Sequence, residues 1–435
     1  MVSSSNVPLM SMIRETGISL VCITLLAVIT SCVYFSHFKD FYSSDSPTYI
    51  TPAANLLAGH GFTDVNGNPE TNRTPAYSLL IVPFLWAHMD LHWLVLLQHL
   101  MRTVLILGTF VFAFWLTGSQ RQAVLSGILL CIDLPFLAAA NYVLTEILFT
   151  AVLSVMLILL WVGLDESRNF VLRLIVIGLM GGALVMIRPI ALYFWLPVSA
   201  YLFLFRKHKR IQAIAIFMIG FICIPLLWGI RNYHQTGYFT VSSISGYSVL
   251  QYRAAGVLAI NDPGDFQANA ERRKTELTAQ ACHDAPPLAG KDCANMSVAE
   301  QSKYFTKYGS RIVLQHPFAY LKLTAHGTAM TMLGGGAGAL SEVTGMNLYS
   351  AAKLLLIYTV PVFCLAIWGL KAFYCVEQKF FWLSLLVCVY FVGISAGAES
   401  YARFRIPIMP IYSILVAAGI DAAIRILGNQ NRQKS

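Results

Sequence analysis

The chain has 435 residues, 57% of them hydrophobic and 12% charged, with a formal net charge of +9 and a mean hydropathy of +0.64. Soluble globular domains carry about 25% charged residues, and several apolar runs here approach or exceed the roughly 18 residues that cross a bilayer, so a soluble protein is excluded. Those runs are continuous rather than alternating, which excludes a membrane β-barrel, and Lys and Arg gather in short loops between them, which assigns the basic excess to membrane orientation rather than nucleic-acid binding.

In chain order, the polar stretch Met1 to Thr16 precedes an apolar run too long for a signal-peptide core and without a small-residue cleavage site; it reads as a first span, Ile18 to Phe35. A polar segment, His37 to Arg73, leads to Ala76–His88, too short to cross and therefore interfacial or re-entrant. Spans follow at Trp93–Leu116, Ala123–Ala140 and, after a tight turn at Asn141–Thr145, Ile147–Leu164. Beyond the charged loop Asp165–Arg173, a fifth span ends at Arg188-Pro189 and a sixth runs from Ile190 to Phe205.

The cluster Arg206-Lys-His-Lys-Arg210 fixes the end of the sixth span in the cytoplasm. A seventh span, Ala213–Ile230, leads outward into a long polar region, Arg231 to about Tyr349; spans near Leu354–Ala372, Phe381–Ala396 and Ile406–Ile424 complete the chain. The expectation is a single all-α polytopic domain over 1–435, with about ten helices and both termini cytoplasmic. It has two large outer loops, 37–92 and 231–349, and C-terminal spans in 350–435. No internal repeat is evident, which counts against an inverted-repeat transporter.

Of nine cysteines, Cys32, Cys131, Cys223, Cys364 and Cys388 fall in or near spans and read as buried small hydrophobes. Cys282 and Cys293 share the second outer loop, where a disulfide closing a short loop fits better than a zinc site, because His283 has no fourth ligand at a recognisable spacing.

Asp45, in Phe41-Tyr-Ser-Ser-Asp-Ser-Pro-Thr-Tyr49, stands just beyond the first span, and Glu146 opens the fourth at the same face. Either could cap a helix, but two carboxylates at one level also suit a bound cation, or a base beside an orienting acid. Arg73, Arg188, Arg231, Arg403 and Arg405 stand at the same face against the positive-inside grain. One such arginine is a snorkelling side chain; five suggest an anionic substrate held by planar forks of donors. Arg102 and Asp133 lie deeper, where mutual pairing is the expected reason for both. The reaction class that fits is transfer of a group from a lipid phosphate, with a carboxylate removing the proton from the attacking hydroxyl.

Asp45-Ser-Pro-Thr-Tyr49, Ala54, Leu57, Gly59-His-Gly-Phe62 and Arg73-Thr-Pro-Ala-Tyr77 resemble the first outer loop of GT-C superfamily glycosyltransferases, in the bacterial branch related to protein O-mannosyltransferases and lipid A aminoarabinose transferases. Gln98-His-Leu-Met-Arg102, Pro135 through Thr145-Glu-Ile-Leu-Phe149, Arg188-Pro189, Trp228-Gly-Ile-Arg-Asn-Tyr233 with Gly237, and Arg403-Phe-Arg-Ile-Pro-Ile-Met-Pro410 extend the resemblance over about residues 18 to 425.

The resemblance implies a polyprenyl-phosphate sugar as donor, an envelope lipid, glycan or protein as acceptor, inversion at the anomeric carbon, and a site on the outer face of a bacterial cytoplasmic membrane. It makes Asp45 the general base, Glu146 the second acidic position, and the later arginines ligands of the donor phosphate. Metal use varies across the superfamily, so a divalent ion is left open. Many relatives carry two adjacent acids in the first loop, whereas Asp45 is flanked by Ser44 and Ser46; and no large C-terminal soluble domain follows the spans, which leaves acceptor recognition to the outer loops.

Base and leaving group lie on opposite sides of the sugar in an inverting transfer. That places Asp45 on the acceptor side and Arg231, with Arg403 or Arg405, on the phosphate side; Tyr77, His60 and Trp228 are sugar- or lipid-lining candidates, or simply interface aromatics and caps. Three other readings stand beside this one: an O-antigen-type ligase or polymerase, a transporter or flippase for a lipid-linked or anionic solute, and a catalytically silent binding subunit. The transferase reading requires the early acid and the middle and late arginines to meet around one cavity.

Overall fold

The computed structural model describes residues 9–37, 40–163, 169–284 and 296–434. Seven helical segments are long and apolar enough to cross a membrane: Thr16–His37 within α1 (Leu9–His37), α4 (His92–Thr117), α8 (Phe170–Ile187), α10 (Arg210–Thr236), α17 (Leu348–Val376), α18 (Gln378–Ser395) and Ala402–Leu427. The last joins a 3-10 turn, Ala402–Ile408, to α19 (Met409–Lys434). A further apolar pair, α5 (Gln120–Ile132) and α6 (Leu134–Asn141), meets at 55°, the geometry of a broken span or a re-entrant loop. Two shorter apolar helices, α7 (Glu146–Val162) and Pro189–Phe205, which contains α9 (Trp195–Phe205), fill the remaining places among the ten runs. No strand occurs among the described residues; there is one isolated bridge, Thr63 to Pro69.

In lipid, helices associate by close packing rather than by the hydrophobic effect, so small residues mark the contacts. Gly178 and Gly182 of α8 lie against the backbone of Phe217 and Phe221 on α10, and Gly220 of α10 lies against Ile175; a Cβ at any of the three would meet a carbonyl oxygen. Gly369 of α17 and Gly419 of α19 form a second such contact, against Leu415 and Leu365. Most of the C-terminal span is buried at the centre of the bundle, whereas α1 and α17 show most of their surface to the surroundings. Cys131 is buried, but Cys32, Cys223 and Cys364 face outward rather than into the core, and all four are free.

The break between α5 and α6 explains three buried charges. Asp133 caps α6 by accepting from the Phe136 amide at 2.9 Å, and Pro135 sits in that first turn, where its missing N–H costs nothing. The bend leaves carbonyls of α5 without helical partners. Arg102, fully buried, donates to two of them, Cys131 at 2.8 Å and Leu130 at 3.3 Å, and to Ser31 Oγ at 3.0 Å. Arg102 therefore does not pair with Asp133, contrary to the expectation from sequence. The partner of Asp133 is Arg405, at 2.6 Å. At the far end of the bundle Asp421 gathers Arg121, Arg425 and Gln122, tying α19 to α5.

At the near end lie the short helices α2 (Pro47–Leu57) and α3 (Ala76–Trp86) and the larger loop. The latter contains α11 (Ile244–Tyr247), a π-helical turn (Ser248–Ala254), α12 (Ala255–Ala259), α13 (Phe266–His283), α14 (Val298–Gln315), α15 (Pro317–Leu333) and α16 (Ala337–Thr344). Cys282, at the end of α13, is disulfide-bonded; Cys293 lies outside the described residues. The two loops are stitched together: Ser242 Oγ donates to the Asn72 carbonyl at 2.6 Å, and Ser243 binds Thr71 through both its amide (2.8 Å) and its hydroxyl (2.9 Å).

Candidate active site

Asp45 sits in a serine-rich turn rather than at a helix cap. Ser46 Oγ donates to the Val143 carbonyl at 3.0 Å, and the Val143 amide donates to Phe41 at 2.9 Å, so this turn is docked on the segment that leads into α7. Ser46 thus supplies the docking, and the docking brings Asp45 to the start of α7, where Glu146 begins the helix. The α2 cap position is Ser46, and no side-chain capping bond is made there, which leaves the Asp45 carboxylate to other partners.

Those partners are guanidiniums. Arg73 reaches Asp45 Oδ1 at 2.8 Å, and Arg403 reaches Oδ2 at 3.2 Å. Arg403 also binds Glu146 Oε1, and Arg188 approaches the same oxygen at 2.5 Å while donating to Thr145 Oγ1 at 3.1 Å. Three arginines and two carboxylates therefore form one chain, Arg73–Asp45–Arg403–Glu146–Arg188, with one positive charge in excess. The two acids differ in access: the Asp45 side chain is 33% exposed and that of Glu146 1%. The second oxygen of Glu146, Oε2, is buried and has no hydrogen-bond partner.

Arg73 is held from several sides. Its Nε donates to Thr48 Oγ1 at 3.0 Å, its guanidinium lies 5.0 Å from the centre of the Tyr49 ring, and its amide donates to Glu70 Oε1 at 3.0 Å. Burial works against its charge, but Tyr49 and Asp45 outweigh that and raise its pKa from the ordinary arginine value. Burial also pushes the Glu70 carboxyl up, against the pull of the Arg73 and Asn72 amides it accepts from.

The other residues singled out from sequence are not part of this chain. Arg231 was expected on the phosphate side; instead it donates to the Phe62 carbonyl at 2.7 Å and the Glu70 carbonyl at 2.9 Å, with Trp228 4.8 Å from its guanidinium. It clamps the hairpin of the first loop onto the end of α10. Arg405, the other phosphate-side expectation, is 4% exposed and is taken up by Asp133 and the Met332 carbonyl at 3.0 Å. Tyr77 is fully buried and donates to Gln98 Oε1 at 2.6 Å. His60 is exposed at the end of α2, and its ring touches neither acid.

Sequence reading missed Glu70, Thr48, Arg253 and Glu399. Glu70 carried a signal: an acid in the same short polar loop as Arg73. Among the described residues no group of three or more His, Cys, Asp or Glu could hold a metal ion, and three of the four carboxylate oxygens of Asp45 and Glu146 already face guanidiniums.

Beside the cluster runs an open apolar groove of about 470 Å³, walled by Pro75, Ala76 and Leu79 of the α3 region, Leu148 of α7, Ala183, Met186 and Ile187 of α8, and Ile224, Leu227 and Trp228 of α10. Ile187 immediately precedes Arg188, and Pro75 lies two residues after Arg73, so the groove wall includes chain neighbours of both arginines.

These features define the class: an all-α polytopic membrane protein. Among solved structures the chain is similar to the archaeal oligosaccharyltransferase AglB from Archaeoglobus fulgidus in complex with an inhibitory peptide and a dolichol-phosphate, at 11% identity and a TM-score of 0.52, over 95% of this chain and 51% of that one. It is likewise similar to the apo crystal structure of the Archaeoglobus fulgidus oligosaccharyltransferase, at 13% identity and a TM-score of 0.54, over 96% of this chain and 52% of that one. The chain spans about half the length of these proteins, and at such identities the likeness is one of fold. No family model matches the chain, and no curated protein matches it in sequence.

Proposed function

We propose that the protein is an inverting glycosyltransferase that moves a sugar from a polyprenyl-phosphate donor to an envelope lipid, glycan or protein at the outer face of a bacterial cytoplasmic membrane. The observation that carries this reading is Arg403, shared between the half-open Asp45 and the sealed Glu146. An arginine held by two acids is preset in position yet still attractive to a third anion. The groove gives that anion a chemistry: an apolar tail lies along α8 and α10 while its phosphate meets Arg73, Arg188 and Arg403. The basic cluster Arg206–Arg210 supports this orientation, because Lys and Arg favour the cytoplasmic side of a span.

The geometry suggests the order of events. At rest, both oxygens of Asp45 are paired with guanidiniums, so neither is free to accept from an acceptor hydroxyl. A donor phosphate competes for Arg73 and Arg403 and releases Asp45. The acceptor hydroxyl then gives its proton to Asp45 as its oxygen forms the new bond to the anomeric carbon, and the bond from that carbon to the phosphate oxygen breaks on the opposite side. The phosphate departs with the bonding pair, neutralised by the arginines. Glu146, sealed from solvent, keeps Arg188 and Arg403 in place throughout.

The test is incubation of the purified full-length protein, in lipid, with polyprenyl-phosphate-linked sugars and envelope extracts, followed by mass spectrometry for a glycosylated product. Product formed by the natural chain and lost with Asp45→Asn supports the reading. Translocation of a lipid-linked solute without a covalent product would replace it with the transporter reading.

A further inference from the structure

We propose that Arg253 is a positioning residue that sets Arg403, so that the second large loop governs the charge network at Asp45 and Glu146. The kinetic part of this inference rests on the transferase reading; the structural part does not.

Arg253 lies on the π-helical turn Ser248–Ala254, a rare geometry that is frequent at functional sites. Its guanidinium reaches the end of α18: Nη2 donates to the Ile394 carbonyl at 2.6 Å and lies 3.3 Å from Glu399 Oε1, while Nη1 donates to the Ala396 carbonyl. Carbonyls at a helix C-terminus lack intrahelical partners and carry the negative end of the helix dipole, so a guanidinium satisfies them twice over. Burial pushes the Glu399 carboxyl up, and the charge of Arg253 opposes this.

The capped turn is the one that delivers Arg403. Within it, Ser400 Oγ accepts from the Gly397 amide at 2.6 Å and donates to the Ser395 carbonyl at 2.7 Å; Arg403 follows, its Nη1 3.2 Å from Tyr401 Oη. The Arg253 guanidinium and the Glu399 carboxylate lie directly against Gly397, where a Cβ would meet both. Close packing grips the turn from two further sides: a Cβ on Gly256 of α12 would meet Ala398, and one on Gly327 of α15 would meet Gly397 and Ser400. The π turn also borders the site. Burial pushes the Tyr252 phenol up, Lys274 opposes this, and Glu399, Glu271 and Asp45 add to it. Loop, turn and Arg403 thus form one continuous set of contacts, and an acceptor that displaced the loop would act on the donor side through Arg253.

The experiment uses the full-length protein in lipid nanodiscs with Arg253→Lys, which keeps the charge but loses the fork, and Arg253→Gln. Hydrogen exchange is followed at residues 396–405 and at the α8–α10 contact. Loss of hydrogen bonds to a buried charged group predicts exchange at 396–405 faster by about tenfold to a hundredfold, with α8 and α10 unchanged. Sugar transfer should show kcat reduced by about tenfold or more, with acceptor KM within about threefold of the natural chain's. Unchanged exchange at 396–405 in both variants overturns the proposal. So does faster exchange with kcat intact, which would leave Arg253 as a helix cap only. If the natural chain transfers no sugar, the transferase reading falls, and the clamp is decided by the exchange data alone.

Discussion

Asp45, in the turn before α2, and Glu146, the first residue of α7, are joined through the single guanidinium of Arg403. Each acid has a further arginine of its own, Arg73 for Asp45 and Arg188 for Glu146. The arrangement separates two tasks that the sequence leaves undivided: an acid that solvent can reach, and one that only holds cations.

That division predicts a ranking. Asp45→Asn should insert and fold normally and reduce transfer by about 10²- to 10⁴-fold, the usual share of a general base. Glu146→Gln should cost less in kcat and more in donor KM, because the arginines it holds loosen while the base remains. Steady-state kinetics on both variants would show it, and the reverse ranking would exchange their roles.

Arg405 should behave unlike Arg403 despite its position two residues away. Arg405→Leu leaves Asp133 buried without a cation, which costs about 3–5 kcal/mol, whereas removing both charges together is far milder. Thermal unfolding in detergent should therefore show a large loss for Arg405→Leu and partial recovery in the double variant Arg405→Leu, Asp133→Asn. The corresponding change at Arg403 should lower transfer with little effect on unfolding.

Glu70 offers a pH test. Its pKa is raised by burial, so its contribution to folding is fully present below the unfolded value of about 4.3 and is lost as pH rises through the higher folded value. Protease nicking of the hairpin at Phe62–Glu70 should accordingly increase as pH rises through that value. Glu70→Gln keeps the oxygen that accepts from Asn72 and Arg73 and does not titrate, so it should remove the pH dependence and resist nicking at neutral pH.

Gly369→Ala should force α17 away from Leu415 of α19. Overpacking of this kind costs about 1–3 kcal/mol, to be read as a lower unfolding temperature in detergent. Gly338→Ala, where a Cβ meets nothing, is the control.

Charged groups at the ends of apolar runs are conspicuous, which is why the sequence singles out Asp45, Glu146, Arg73, Arg188 and Arg403, the five that the structure gathers into one cluster, and why the all-α polytopic architecture is legible. The errors have a common source. The choice between Arg403 and Arg405 depends on a 3-10 turn, in which residues two apart face directions about 120° apart, and nothing in Arg-Phe-Arg distinguishes that turn from an α-helix. Arg102 and Arg231 were matched with ionic partners, yet both bind backbone carbonyls: Arg102 those freed at a helix break, Arg231 those of a hairpin. Such acceptors carry no side-chain signature.

The glycine contact between α8 and α10 bears on how a lipid would enter. Gly178, Gly182 and Gly220 bring the two backbones together, so the side of the groove lined by Ala183, Met186, Ile187, Ile224, Leu227 and Trp228 is rigid. Opposite it stands α3, short and interrupted by Pro83. Tails of different girth would be admitted by the swing of that small helix, as by a door hung on a fixed frame, and the breadth of lipids the protein accepts would be written in Pro75–Leu79 rather than in the arginines.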